Sequence, residues 1–186
     1  MGFFDLTAPI YDLLFHPDLG ELCQQGGFPS DGFIVDIGGG TGRMAHAMQN
    51  GTRKIIIVDV SYKMLLETKK RGQIFPVQAD GTALPFSSAT IAGVLIADAF
   101  HHFQQRLDVI QEVRRSLLSK GILYIFEPNI KKCAVKIIVT LEKILGMRSR
   151  FFTIQEIEEL VCAMGFRTIE TQEDGSSIRL CFQKEN

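Results

Sequence analysis

Val35-Asp36-Ile37-Gly38-Gly39-Gly40-Thr41-Gly42-Arg43 is the most informative stretch of this chain, because an apolar run passes here into a glycine-rich turn and then into a helical pattern. The apolar run covers 33–37, and the amphipathic stretch covers 43–50. Glycines let the backbone adopt positive φ and pass close beneath a ligand, and the first turn of a helix offers unpaired N–H groups. The stretch therefore predicts a strand, a turn and a helix, with a nucleotide-like ligand above the turn.

The same alternation of apolar and amphipathic stretches continues along the chain. Short apolar runs predict seven strands, at 33–37, 54–58, 74–78, 91–96, 122–126, 167–171 and 178–183. Amphipathic stretches predict helices at 43–50, 62–71, 107–118 and 154–164. Strands that are almost wholly apolar are typical of a parallel sheet covered on both faces, and the last two strands resemble a hairpin. We therefore predict an α/β, Rossmann-like three-layer sandwich whose seven-stranded, mostly parallel sheet has one antiparallel edge strand.

A carboxylate follows the second predicted strand. Asp59 lies about twenty residues beyond the glycine turn, where an acidic side chain can accept hydrogen bonds from both hydroxyls of a ribose. A dinucleotide is one candidate ligand, but its fingerprint G-x-G-x-x-G requires glycine where this chain has Arg43. The Arg43 side chain would crowd a pyrophosphate. An NAD-dependent oxidoreductase therefore remains an alternative to a protein that binds another ribose-bearing cofactor.

Three motifs of the chain belong together. The spacing D-x-G-x-G-x-G is formed by Asp36, Gly38, Gly40 and Gly42. The stretch 78–86 is similar to G-D-A-x-x-L-P-F, and the stretch 97–103 is similar to a small-residue strand exit followed by L-H-H. Together these motifs resemble the class I S-adenosylmethionine (SAM) dependent methyltransferases. The resemblance covers 33–128 and extends to 151–166 through a helix and an A-x-G-F turn.

The resemblance implies SAM as the cofactor and S-adenosylhomocysteine as its product. It implies a cofactor site formed by Asp36, Gly38, Gly39, Gly40, Gly42, Asp59, Val60, Met64, Asp80, Gly81 and Ala97. Asp80 would accept a hydrogen bond from the adenine amino group. Met64 would cover the adenine face or serve only in core packing. The amino and carboxylate groups of the methionine moiety, in place of a pyrophosphate, would face the glycine turn.

The turn after the fourth strand is expected to border the reacting groups, because ligands of open α/β sheets bind at the carboxyl ends of the strands. The candidate catalytic residues in this turn are Asp98, His101 and His102. A histidine here would take a proton from the acceptor, hold the acceptor by a hydrogen bond, or be structural. Asp98 would face the sulfonium or the acceptor, or cap the following turn. Tyr11 is the candidate substrate residue, with packing of an N-terminal helix as its alternative role.

Composition restricts the class of partner. The formal net charge is −1, from 20 basic and 21 acidic side chains, so no global field favours nucleic acid. The four cysteines lie far apart and lack the spacing of a zinc site. The sequence has no recognisable signal peptide and no apolar run long enough to span a bilayer, which predicts a cytoplasmic protein. We expect a single domain over 1–186, with an N-terminal helical cap at 1–30 and no metal.

Residues 131–150 occupy the place where this family inserts its substrate-recognition element. The segment has six basic residues and one acidic residue, Glu142, beside a wide apolar face. That face would cover an apolar substrate pocket, pair with a second subunit in a homodimer, touch a membrane surface, or pack on its own domain. The predicted function is methyl transfer to a small-molecule substrate, an apolar or aromatic organic acceptor. A catalytically inactive SAM-binding protein stays open as the alternative.

Overall fold

The computed structural model describes residues 32–49, 54–68, 74–130, 150–174 and 177–186. In these residues the strands are β1 (Phe33–Ile37), β2 (Lys54–Asp59), β3 (Ile74–Gln78), β4 (Ile91–Ala97), β5 (Leu117–Pro128), β6 (Phe166–Asp174) and β7 (Ser177–Lys184). The helices are α1 (Arg43–Ala47), α2 (Tyr62–Thr68), α3 (Arg106–Ser116) and α4 (Ile154–Ala163), and a 3-10 turn covers Phe100–His102. The expected cap at 1–30, including Tyr11, and 131–149 of the expected insertion lie outside the described residues.

The seven strands form one sheet in the order β3-β2-β1-β4-β5-β7-β6. Neighbouring strands from β3 to β5 are parallel, whereas β7 runs antiparallel to both β5 and β6. The predicted seven-stranded, mostly parallel sheet is therefore confirmed, and the closing hairpin supplies its antiparallel edge. Within that edge the antiparallel strand is β7, which lies one position inside, and the outermost strand β6 is again parallel to the body.

Alternate residues of each central strand enter opposite layers of the core. On β4, Val94 and Ile96 pack with residues of α3 and α4, whereas Leu95 and Ala97 pack with residues of α1 and α2. Successive side chains of a strand point to opposite faces, so a strand covered on both sides must be apolar at every position. The two apolar layers confirm the three-layer sandwich.

The main boundary difference lies between α3 and β5. The helix was expected to reach residue 118 and the next strand to begin at residue 122, but the helix ends at Ser116 and β5 begins at Leu117. Leu117 is fully buried and pairs with Ile91 of β4, and a register shift follows before Gly93 pairs with Ile122. Burial of Leu117 in the sheet outweighs the helical spacing that had assigned it to the helix.

The parallel arrangement brings the carboxyl ends of β1, β2 and β4 to the same edge of the sheet. The glycine turn follows β1, Asp59 ends β2, and Asp98 follows β4. Strand order is reversed around β1 because the chain moves outward to β2 and β3 and then returns to β4. A crevice at such a point is the usual ligand site of this class of fold. Among the described residues, no helix combines the length and the apolar character needed to cross a membrane.

Candidate functional site

A cleft of about 370 Å³ opens at these strand ends. It brings together twelve of the residues predicted from the sequence: Asp36, Gly38, Gly39, Gly40, Asp59, Val60, Met64, Asp80, Gly81, Ala97, Asp98 and His102. Two other predicted residues, Gly42 and His101, do not line it. The segments that were far apart in the sequence therefore form one continuous surface.

The glycine turn is shaped by close backbone contacts. Gly38 has φ of 72°, its N–H donates to the Val58 carbonyl at 2.7 Å, and a Cβ added to it would lie 2.6 Å from the Ala99 Cβ. Gly42 has φ of 80° at the start of α1, and an added Cβ would lie 2.8 Å from Ile57 Cδ1. Positive φ and the lack of space both require glycine. Gly42 thus shapes the turn from behind, while Gly38 forms part of the cleft wall.

Asp59 is fixed at the end of β2 by the backbone around it. Its Oδ2 accepts the Gly40 N–H at 3.0 Å, and its Oδ1 accepts the Ser61 N–H at 2.7 Å. The Thr68 hydroxyl donates to the Gly40 carbonyl at 2.8 Å and so joins α2 to the same turn. These contacts orient Asp59. Because a carboxylate oxygen can accept more than one hydrogen bond, Asp59 can still accept hydrogen bonds from hydroxyl groups of a ligand.

Asp36 lies at the floor of the cleft with 1 % of its surface exposed. Among the described residues neither carboxylate oxygen has a hydrogen-bond partner. Burial, and secondly the negative charge of Asp59, raise the pKa of Asp36 to about 7. Buried carboxylates are normally paired, and each unpaired one calls for an explanation. A cationic donor group of a bound ligand would satisfy Asp36.

The third wall carries Asp80 and Gly81. Asp80 is exposed, and its Oδ1 accepts the Thr82 N–H and the Thr82 hydroxyl, both at 2.9 Å. Gly81 is buried, and an added Cβ would lie 3.2 Å from Ile37 Cγ2. Met64 is also buried and lines the cleft, so its sulfur-bearing side chain combines a core position with a place in the cleft wall.

An ion pair that the sequence analysis missed holds the end of this wall. Glu112 Oε2 accepts the Leu84 N–H at 2.9 Å, and Arg115 donates to the Leu84 and Phe86 carbonyls at 3.2 and 2.8 Å. Glu112 and Arg115 also bind each other at 2.7 Å. That hydrogen bond is the main reason why the pKa of Glu112 is lowered. Local sequence could show only a Glu and an Arg one helical turn apart, not that they clamp a remote loop.

The two adjacent histidines have different environments. His102 lines the cleft, and burial, followed by repulsion from His101 and Arg106, lowers its pKa to about 3. His101 is 3 % exposed, lies behind the cleft, and places Nδ1 2.5 Å from Oε2 of the buried Glu127. Asp98 lines the cleft with φ of 51°, in the left-handed region that side chains rarely adopt. Of the predicted catalytic residues, Asp98 and His102 therefore face the same space and His101 does not.

Several cleft residues were not predicted as site residues: Arg43, Phe103, Gln104 and Gln105. Their positions in the sequence could have identified them, because Arg43 directly follows the glycine turn and the other three directly follow the histidine pair. Arg43 is notable because its buried Nε and Nη1 atoms have no hydrogen-bond partner among the described residues. Over the same residues, no group of three or more His, Cys, Asp or Glu side chains has the arrangement of a metal site.

Comparison with known proteins agrees with this geometry. Residues 35–125 match the family model described as a methyltransferase domain. The demethylmenaquinone methyltransferase of Thermotoga maritima is 33 % identical over 112 residues, which are 56 % of this chain and 48 % of that protein. The chain thus spans about half the length of this curated relative.

Solved structures share the fold over almost the whole chain. A chain of the complex that contains the Trm112 methyltransferase activator of Haloferax volcanii has a TM-score of 0.85 at 13 % identity, covering 100 % of this chain and 99 % of that one. A SAM-dependent methyltransferase of Thermotoga maritima has a TM-score of 0.82 at 20 % identity, covering 98 % of both chains. The matched region spans the glycine turn, the Asp80 wall and the histidine turn, so the part of the chain that forms the cleft is similar to a methyltransferase domain in sequence, and the chain is similar to methyltransferase structures in fold.

Proposed function

We propose that this chain binds SAM in the cleft and directs its methyl group to a small apolar or aromatic acceptor. The observation that carries the proposal is the Asp36 carboxylate, which has no hydrogen-bond partner in the part of the chain that the structure describes and lies at the floor of a cleft that runs from the glycine turn to His102. A buried carboxylate without a donor is costly, and the ammonium group of a methionine moiety is a donor of suitable charge. The match of residues 35–125 to a methyltransferase domain supports the same cofactor.

The residues present fit the other parts of the cofactor. Asp59, held by two backbone N–H groups, would accept the ribose hydroxyls. Asp80 and Gly81 would border the adenine, with Met64 against its face. Arg43 supplies guanidinium atoms without a protein partner among the described residues, which suit the cofactor carboxylate. Gly39, Val60 and Ala97 complete the wall, and Gly42 supports the turn that carries it.

The chemistry at the far end of the cleft follows from the groups that face it. The cofactor, when bound, supplies a positively charged methyl donor. His102 is neutral at neutral pH because its pKa is lowered. In this proposal it binds the acceptor by a hydrogen bond and does not act as the base that takes its proton. Asp98 is the carboxylate that faces the same space, and it would accept the acceptor's proton or orient its donor group. The main contribution of the chain is alignment.

Binding of the cofactor is tested by calorimetry with SAM, S-adenosylhomocysteine and NAD under identical conditions. We expect saturable binding of the first two and no binding of NAD, because Arg43 occupies the position where the dinucleotide fingerprint requires glycine. Binding of NAD in preference to SAM would favour an oxidoreductase and defeat the proposal.

Asp59→Ala is expected to weaken SAM binding by about tenfold or more, because it removes the acceptor for two ribose hydroxyls. The matched control is Glu67→Ala, an acidic residue of α2 outside the cleft lining. The affinity is measured by calorimetry for both variants. An Asp59→Ala protein that keeps the wild-type affinity would show that this carboxylate is not the ribose acceptor.

Catalysis is separated from binding by a panel of acceptors incubated with methyl-labelled SAM. We expect label transfer to an apolar or aromatic acceptor and expect it to be lost in Asp98→Asn. A protein that binds SAM and labels no acceptor would match the inactive SAM-binding alternative.

Other expectations remain predictions from the sequence. They are the helical cap at 1–30 with Tyr11, the insertion at 131–150, homodimer formation, peripheral membrane contact and a cytoplasmic location.

A further inference from the structure

Glu127 is a buried carboxylate that the proposed cofactor contacts do not use. It lies near the end of β5, is 3 % exposed and does not line the cleft. Its Oε1 accepts the backbone N–H groups of Ala99 and Phe100 at 3.1 and 2.9 Å. Its Oε2 lies 2.5 Å from Nδ1 of His101. All three contacts thus go to consecutive residues of the turn that follows β4.

His101 connects this carboxylate to the cleft. Its ring packs against His102, with centroids 3.9 Å apart, and stacks on Phe151 at 4.3 Å and 16°. The His101 carbonyl accepts the Arg150 N–H at 2.9 Å and an Arg106 guanidinium N–H at 3.2 Å. Contacts at Nδ1, at the ring face and at the backbone carbonyl therefore fix the position of His101. Since His102 lines the cleft, the position of the His101 ring sets where the His102 ring can lie.

Glu127 is also connected to the glycine turn, through Ala99. Ala99, whose N–H is bound by Glu127, lines the cleft and packs against Gly38 so closely that no Cβ fits between them. Asp98 precedes Ala99 and keeps its positive φ while its N–H donates to the Phe126 carbonyl at 2.9 Å. A strained backbone persists only where the surrounding contacts enforce it. Glu127 supplies three such contacts immediately after the strained residue.

We propose that Glu127 is a positioning residue, which acts through His101 and Ala99 to hold Asp98 and His102 toward the methyl group of the cofactor. This inference rests on the proposed function. Ionised Glu127 is an acceptor only, so the His101 nitrogen that faces it must carry a proton. The carboxylate thereby fixes which His101 nitrogen is protonated as well as the plane of the ring. Glu127 itself touches neither the cleft nor the reacting groups.

Glu127→Gln tests the proposal with little change of shape. The amide oxygen can still accept from Ala99 and Phe100, but the amide nitrogen cannot accept from Nδ1 of His101. We expect the proton to move to Nε2 of His101, detected by the ¹⁵N shifts of the imidazole. With SAM labelled with ¹³C in its methyl group as the probe, we expect the bound methyl signal to shift in this variant and in His102→Asn. The dissociation constant for SAM should stay within about threefold of the wild-type value.

Two further variants keep the result decisive. His101→Gln can still donate to Glu127 but lacks the ring that packs on His102, and it should also shift the methyl signal. Glu158→Gln removes a carboxylate that accepts the Thr171 hydroxyl at 2.6 Å outside the cleft, and it should leave the signal unchanged.

Each outcome distinguishes the inference from the function on which it rests. An unchanged methyl signal in both Glu127→Gln and His101→Gln would overturn the positioning role. So would a Glu127→Gln protein whose SAM affinity falls in step with a general loss of stability, because Glu127 would then be only structural. Failure of the wild-type protein to bind SAM would instead refute the proposed function.

Discussion

Asp36→Asn is expected to stabilise the cofactor-free protein and to weaken SAM binding. In the folded protein the pKa of Asp36 is raised to about 7 from 3.8, so ionisation of the buried carboxyl opposes folding. This cost is absent below the unfolded-state pKa, grows as pH rises, and is complete above about pH 7. Asparagine stays neutral throughout. The variant should therefore gain about 2–3 kcal/mol in free energy of unfolding, relative to the wild type, as the pH rises from about 5 to about 8.

The binding effect of the same substitution has the opposite sign. Loss of a charge-assisted hydrogen bond to the cofactor ammonium should raise the dissociation constant for SAM by about tenfold to a hundredfold. In the wild type, SAM affinity should increase as pH rises toward about 7, because the cofactor requires ionised Asp36. Denaturant unfolding and calorimetry over the pH range measure both quantities. Glu67→Gln, a change on α2 outside the cleft lining, is the control for both measurements. If the free energy of unfolding had the same pH dependence in the wild type and in Asp36→Asn, the prediction that ionisation of Asp36 opposes folding would be wrong.

Gly38→Ala is expected to abolish cofactor binding and to destabilise the fold by about 2–4 kcal/mol. The added methyl group would lie 2.6 Å from the Ala99 Cβ, and the residue would keep φ of 72°. Both the steric overlap and the backbone strain act on the glycine turn, which is the turn proposed to bind the cofactor. Thermal unfolding and SAM calorimetry measure the two consequences.

Gly40→Ala separates strain from overlap. Gly40 also has positive φ, 53°, but among the described residues the nearest atom to an added Cβ would be the Gly38 carbonyl oxygen, at 4.0 Å. We expect a cost of about 1 kcal/mol there, from backbone strain alone. The double variant Gly38→Ala with Ala99→Gly should recover part of the stability lost in Gly38→Ala, because it removes the overlapping methyl group. Equal destabilisation by the two single alanine variants, with no recovery in the double variant, would show that the Ala99 contact has no role.

Regular elements were predictable because their signals are local. The strand positions follow from short, almost wholly apolar runs, and the helices follow from a period near 3.6. The boundary between α3 and β5 was not predictable in this way. Leu117 fits the apolar stripe of the helix, yet its burial beside Ile91 of β4 places it in the strand. That preference depends on a partner 26 residues earlier, which local spacing does not reveal.

The side of the cleft that is proposed to bind the cofactor could also be located from the sequence. Glycines at fixed spacing and an acidic residue after the next strand are sequence features with direct physical meaning, and the structure brings Asp36, Asp59 and Asp80 to one cleft. The reactive side was not. His101 and His102 are adjacent and chemically identical in the sequence, but one lies behind the cleft against Glu127 and the other lines it.

The local order of residues thus determines a βα sandwich with a glycine turn at its first strand end, because turn geometry and hydrophobic period act over a few neighbouring residues. Tertiary structure alone decides that Asp36 is buried with no donor among the described residues, that Glu112 and Arg115 bind a loop 28 to 31 residues away, and that Glu127 binds a histidine 26 residues earlier. These properties depend on which strand ends meet at one edge of the sheet and on how completely the surrounding residues exclude water from the side chains there. Both are set by packing of the whole domain rather than by any single segment.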